Sequence, residues 1–186
     1  MYGEQIVSAM LKIANVTVLY KPHPKVTTSP EPKIANAHKK ILGVLDSANA
    51  KDSSAKHRLV TGDPMPVLQV ADLLVSDVSA VTIDYLYLKP QGSMLMCDRR
   101  SNVNEFNQVA PISKAVTVIT NDNINSIDKL ISDHVSGQVD RNSYDSMRNY
   151  YFGDTKPGSS INRFIAMVDD LIKRRDKKVL ELPTSK

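Results

Sequence analysis

Short apolar runs alternate along this chain with longer segments whose apolar positions recur every three or four residues. The runs at 16–20, 57–61, 73–75, 93–97 and 116–119 are rich in Val, Leu, Ile and Met and read as buried strands. Between them, Ile6, Met10, Leu11 and Ile13 predict a helix over 4–14. Ile34, Ala37, His38, Ile41, Leu42 and Leu45 predict one over 33–48. A short helix is expected at 66–71, a second at 81–88 stopped by Pro90, a third at 124–135 and a fourth at 143–151. A last helix opens with Ser159 as its cap and carries Ile161, Phe164, Ile165, Val168, Leu171 and Ile172 on one face. The β-branched Val81-Thr82-Ile83 is a poor helix start, so that helix needs tertiary support. Segments 27–32, 50–56 and 98–115 read as loops. Strands alternating with helices predict an α/β fold: a Rossmann-like parallel sheet with helices on both faces. The expected layout is one domain over 1–178 and a frayed tail over 179–186.

Composition changes this picture little. With 186 residues, 41% hydrophobic and only 5% aromatic, the chain builds an aliphatic core without staples. The single Cys97 ends an apolar run and reads as a small core residue. No His/Cys/Asp/Glu set has metal-ligand spacing, so no metal is expected. There is no apolar run of about 20 residues and no charged-then-apolar leader, and the expected location is cytoplasmic. The net charge is +4. Part of the excess is the run Lys173-Arg174-Arg175-Asp176-Lys177-Lys178, either a solvated helix end or a contact with an anionic membrane surface. No reader motif or basic-aromatic stripe points to nucleic acid.

Ligands of open parallel sheets bind beyond the carboxyl ends of the strands. Two of these ends are distinctive. Lys21-Pro22-His23-Pro24 follows the first strand. His23, between two prolines, sits on a stiff backbone, and Lys21 adds a charge beside it. Such a His acts as acid or base, or donates to a phosphate oxygen; it is equally the exposed member of a rigid turn. The second end is Ser76-Asp77-Val78-Ser79-Ala80-Val81-Thr82-Ile83-Asp84, a strand, a polar turn and a helix opening. Free N–H groups and the hydroxyls of Ser79 and Thr82 suit a diphosphate there. Plain capping by Asp77 or Ser79 explains the same residues. No glycine-rich fingerprint of the dinucleotide or P-loop kind is present, and no bound cofactor is expected. A weaker place is the turn-rich segment 151–160, where Gly158 and Ser159 precede the last helix.

In combination and order, Lys21-Pro22-His23-Pro24, the segment from Ala71 to Tyr85 and Lys89-Pro90 resemble the C-terminal half of CDP-glycerol glycerophosphotransferases, the teichoic acid primases and polymerases of GT-B type. The likeness extends over about 15–172, with Phe152-Gly153-Asp154 and Gly158-Ser159 resembling the family's closing loop. It implies one Rossmann-like half of a two-half enzyme, whose N-terminal half is not in this chain. It implies His23 as the catalytic-cleft histidine. Lys21, Ser79, Thr82, Gly158 and Ser159 would hold donor phosphates, and Asp84 the donor's hydroxyls or the loop. The donor would be CDP-glycerol or a related nucleotide-diphospho compound, and the acceptor a polyol-phosphate or glycan. Val78 and Ala80 stand where the family pattern has Tyr and a second Ser. A nucleotide-sugar glycosyltransferase and a non-catalytic phospho-ligand domain remain alternatives. The Asp77-Val78-Ser79-Ala80 segment lacks the glycine pair of the UDP-N-acetylglucosamine 2-epimerases.

Overall fold

The computed structural model describes residues 2–52, 54–100, 102–138 and 140–181. The chain divides into two compact units, Met1–Met147 and Arg148–Lys186.

The first unit is a Rossmann-like α/β arrangement of parallel strands with helices around them. Its strands form two small sheets. β1 (Leu19–Tyr20) pairs with β2 (Arg58–Leu59), and β3 (Leu73–Ser76), β4 (Ser93–Cys97) and β5 (Thr117–Ile119) pair in the order β3-β4-β5. Central β4 is buried on both faces, which accounts for its unbroken apolar sequence. On the Leu95 face lie α1 (Gly3–Met10) and α7 (Ile127–Val135), whose Ile6, Ala9, Ile127 and Ile131 join Leu95 and Ile119 in one core. α1 also packs against α3 (Pro32–Lys51), where Val7, Val18, Ile41 and Leu45 form a second core. On the opposite face Met94 and Met96 are fully buried, and Tyr144 donates to the Met94 carbonyl at 3.2 Å.

Several elements differ from the pattern in the sequence. The apolar period at 4–14 outruns its helix, because residues 11–13 wind down through i→i+3 bonds before Asn15 takes φ +62°. A short helix, α2 (Pro24–Thr28), replaces part of an expected loop, with Pro24 at its first position and His23 as its cap. The segment 98–115 is not irregular. It holds α6 (Val103–Val109) and a 3-10 turn, Pro111–Ala115. Asn102 and Glu105 make a reciprocal capping pair there: the Glu105 N–H donates to Asn102 Oδ1 at 3.1 Å, and Asn102 Nδ2 donates to Glu105 Oε2 at 3.2 Å. The strand expected over 57–61 shortens to two residues.

α4 (Met65–Val70) and α5 (Val81–Leu88) form as the pattern predicts and pack on one another. The tertiary support that α5 needs comes from Thr82, Tyr85 and Leu86, all buried. α8 (Arg141–Phe152) crosses the boundary between the units. In the second unit, α9 (Ser159–Leu180) has Gly158 as its N-cap at φ +82°, a conformation that suits glycine. Ser159 is therefore the first helical residue and not the cap expected. Of the predicted apolar face, Ile161, Phe164, Ile165, Leu171 and Ile172 are exposed. The expected tail enters α9 as far as Leu180; residues 182–186 lie outside the described residues. No helix among the described residues is long and apolar enough to cross a membrane.

Candidate functional site

Each of the two distinctive segments leaves the carboxyl end of a parallel strand. His23 is exposed, and its Nδ1 accepts the Lys25 backbone N–H at 3.1 Å. Spending Nδ1 as an acceptor leaves the neutral ring's proton on Nε2, facing away from α2. This tautomer donates a hydrogen bond. It becomes a base at Nε2 only if the cap is released. Lys21 donates to the carbonyl of Gly62 at 2.6 Å and so ties the loop after β1 to the loop after β2.

After β3 the chain turns through Asp77, Val78, Ser79 and Ala80 into α5. Ala80 is the N-cap residue and makes no side-chain capping bond, and of the capping that the sequence allowed only a long contact to Ser79 forms. The Thr82 N–H and the Thr82 hydroxyl both reach the Ser79 carbonyl, at 3.1 and 2.6 Å, and Thr82 is buried. Its hydroxyl is thus spent on the turn. The Ser79 hydroxyl has only a long 3.4 Å contact from the Val81 N–H. The backbone N–H groups of Ser79 and Ala80 have no hydrogen-bond partner among the described residues. Asp84 lies in the first turn of α5, where its charge favours the helix dipole. The opening is therefore an uncapped, positively polarised helix end with free donors, the local geometry that an anion requires.

The rest of the motif is scaffolding. Tyr85 is fully buried and donates to the Ala71 carbonyl at 3.2 Å. Lys89 reaches Asp72 at 3.6 Å, and the Gly92 N–H donates to the Lys89 carbonyl at 2.9 Å. These contacts bind the end of α5 to the entry of β3 and β4.

Cys97 closes β4. Burial first, and then the neighbouring Asp77 charge, push its thiol up to about 12, so it stays protonated and unreactive at neutral pH. The remaining histidines are held in structural pairs. His57 Nδ1 accepts the Val18 N–H at 3.0 Å, His38 meets the Tyr20 hydroxyl at 3.1 Å, and His134 lies between Ser93 at 2.7 Å and Thr117 at 3.0 Å. In the second unit, the Ser159 hydroxyl donates to the Asp154 carbonyl at 2.7 Å, and Arg163 donates to the same carbonyl at 2.9 Å. Gly158 and Ser159 thus close a loop of their own. No hydrogen bond or ion pair among the described residues joins Lys21 or His23 to 76–84. A groove of about 1070 Å³ lies between α1 and α3 at the opposite, amino end of β1; its Lys12 and Lys40 are paired with Asp128 and Glu4.

The first unit is thus Rossmann-like, with polar turns at the carboxyl ends of its strands, and that defines its fold class. The family model described as CDP-Glycerol:Poly(glycerophosphate) glycerophosphotransferase matches residues 4–96, half of the chain. The chain belongs to that family, a family of transferases. The matched span holds Lys21, His23, Ser79, Thr82 and Asp84, and leaves out Gly158 and Ser159. No curated protein and no solved structure matches the chain.

Proposed function

We propose that this chain is the donor-binding, C-terminal half of a GT-B transferase of the teichoic acid type. It would hold CDP-glycerol for transfer of glycerol phosphate to a polyol-phosphate or glycan acceptor. The observation that carries this reading is the uncapped opening of α5, with free N–H groups at Ser79 and Ala80, inside the span matched by the glycerophosphotransferase family. In the reaction, an acceptor hydroxyl oxygen bonds to the β-phosphorus of the donor. The bond from that phosphorus to the bridging oxygen breaks, and its electron pair leaves with CMP. The hydroxyl proton passes to a base or to solvent. The protein's part in such a transfer is positioning and charge stabilisation.

The residues divide this work. The Ser79 and Ala80 N–H groups and the Ser79 hydroxyl face the diphosphate, while Thr82 fixes the turn that aims them. His23, with its proton on Nε2, donates to a phosphoryl oxygen or to the departing phosphate. Lys21 adds positive charge at the carboxyl end of β1, and Asp84 bears on the donor's hydroxyls. Gly158 and Ser159 belong to this reading through the family's closing loop. A full catalytic cleft of the GT-B type is built from two such halves, and the assembled enzyme would work at the inner face of the membrane, where a polymer acceptor lies.

Titration calorimetry of the chain with CDP-glycerol, CMP and UDP-N-acetylglucosamine tests the reading. CDP-glycerol is expected to bind more tightly than the UDP-sugar, and Ser79→Ala to weaken it by about 1–3 kcal/mol. Equal affinity for the two donors would refute the glycerophosphotransferase reading and favour a nucleotide-sugar enzyme.

A further inference from the structure

The long helix α9 carries an apolar face that nothing in the chain buries. Ile161, Phe164, Ile165, Val168, Leu171 and Ile172 recur every three or four residues. All but the half-buried Val168 are exposed, from 43% at Ile172 to 64% at Ile161, and no residue of α9 is buried. At 100° per residue these six side chains span about 120° of the helix, a broad stripe rather than the narrow seam of a coiled coil. A continuous apolar stripe of this kind on a soluble unit marks a surface that another body covers. The helix does not span a membrane: it carries nine charged residues, and no described helix is long and apolar enough to cross one.

Charge says what covers it. α9 has six cations and three carboxylates, and five of the cations crowd between Lys173 and Lys178. Arg174, Arg175 and Lys177 pair with Asp170, Asp176 and Glu181, but every partner is more than half exposed, and such pairs hold their cations weakly. Lys173 and Lys178 have no ion-pair or hydrogen-bond partner among the described residues. A second copy of the helix does not match this charge. Packed in the same direction, the two basic ends face each other. Packed in opposite directions, each basic end lies along 159–168 of its partner, where the only charged residue is Arg163. Arg175 then separates a protein groove from a lipid surface. It follows Ile172 by three residues and precedes Val179 by four, so it stands within the apolar stripe. A groove that buried the stripe would strip water from its guanidinium at a cost. At a lipid surface its stem lies along the apolar layer while its charge reaches up to the phosphates.

We infer that α9 lies flat on an anionic phospholipid surface, its apolar stripe in the boundary between headgroups and acyl chains and its basic end against the lipid phosphates. Apolar contact and charge act together in such binding, and neither alone holds a helix firmly. The inference deepens the membrane-face reading above by naming the surface that makes the contact. It draws on no residue of the donor site, so the two stand or fall separately.

The test is co-sedimentation of the whole chain with vesicles of phosphatidylcholine alone and of equal parts phosphatidylcholine and phosphatidylglycerol. The mixed vesicles are expected to bind at least about tenfold more tightly, and less so as salt is added. Phe164→Gln with Leu171→Gln is expected to weaken that binding at least about tenfold. Lys173→Gln with Lys178→Gln is expected to weaken it about 5- to 30-fold and to leave any binding to the neutral vesicles within about twofold. All four side chains are exposed, and far-UV circular dichroism confirms that each double variant is folded. Absence of binding to the mixed vesicles overturns the inference and leaves the face to an acidic protein groove. Equal binding to the two kinds of vesicle, or unchanged binding in either folded double variant, overturns it as well. Sedimentation equilibrium without vesicles supplies a second readout: a dimer that Phe164→Gln with Leu171→Gln dissociates would give the face to a second copy and overturn the lipid reading. Binding to mixed vesicles, together with equal affinity for CDP-glycerol and UDP-N-acetylglucosamine, upholds the lipid contact and refutes only the choice of donor.

Discussion

Replacing Gly92 by alanine tests the seam that holds the α5 motif in place. Gly92 follows Lys89-Pro90 and enters β4, and its φ is not in the left-handed region, so the cost is one of space. A Cβ there would collide with Tyr85 Oη and stand 2.7 Å from Tyr85 Cζ and 2.9 Å from Lys89 Cβ. Tyr85 is fully buried and donates to the Ala71 carbonyl at 3.2 Å, so its ring cannot retreat without breaking that bond. Overpacking of this kind costs about 1–3 kcal/mol, and disturbing the hydroxyl adds about 1 kcal/mol. The reduced entropy of the unfolded chain returns about 0.4–1 kcal/mol. The expected net loss is about 1–3.5 kcal/mol, or about 2–14 °C in Tm for a chain of this length. Urea unfolding followed by circular dichroism measures it. Tyr85→Phe removes the oxygen nearest the new methyl, so the double variant is expected to lose at least about 1 kcal/mol less than the sum of the two single variants. A Gly92→Ala change within about 0.5 kcal/mol of wild type, or strict additivity with Tyr85→Phe, would refute the close contact.

Three further outcomes follow from other parts of the chain. Cys97, raised from 9.0 to about 12 by burial and by Asp77, is expected to react with a thiol reagent at pH 8 roughly a thousandfold more slowly in the native chain than in urea. Because the folded value is the higher one, its contribution to stability is complete below pH 9 and is lost as pH rises toward 12; urea midpoints of wild type and Cys97→Ala across that range test the sign. Asn49 brackets His57, accepting its N–H at 2.9 Å and donating to its carbonyl at 2.7 Å, so Asn49→Ala is expected to cost about 1–3 kcal/mol in urea unfolding, without changing ligand affinity at the far ends of the strands.

What the chain reveals in sequence and what it hides have physical causes. α5 and β4 lie where the pattern places them, because Pro90 and the run of small and apolar residues leave few other options. α6 is hidden by its polarity, since only Phe106 of its Phe and Leu class is present to mark a buried face. Its Asn102-Val103-Asn104-Glu105 spacing is a legible capping signal all the same. α2 is hidden because Pro24 reads as a breaker until it is recognised as a first helical residue. The period of α9 is legible, but periodicity states that a helix has a face to cover and not what covers it. At the site, the positions of His23 and Ser79 at strand ends follow from motif order. The tautomer of His23 and the inward turn of Thr82 depend on single hydrogen bonds that no spacing encodes.

The position of Ala80 bears on how the donor site divides its work. In the family pattern a second serine stands there, and its loss removes one hydroxyl. Thr82 does not replace that hydroxyl, since its own is buried against the Ser79 carbonyl. On the proposed reading, one side-chain hydroxyl and the backbone donors of the turn remain, and the Ala80 N–H is unaffected by the change of side chain. Neutral donors and a helix end contribute modestly to holding a diphosphate, each at the level of about 1 kcal/mol. The carboxylate of Asp77 opposes them in the same turn, while that of Asp98 is paired with Arg100. Cationic charge from outside the turn then decides whether the site binds at all. Lys21, the cation of the matched motif, is engaged with the Gly62 carbonyl at the end of β2. On the proposed reading, the weight of donor binding therefore shifts from hydroxyls toward cationic side chains such as Lys21. Adding salt should accordingly weaken CDP-glycerol more steeply in the wild type than in Lys21→Gln, while Ala80→Ser should raise affinity without altering that salt dependence.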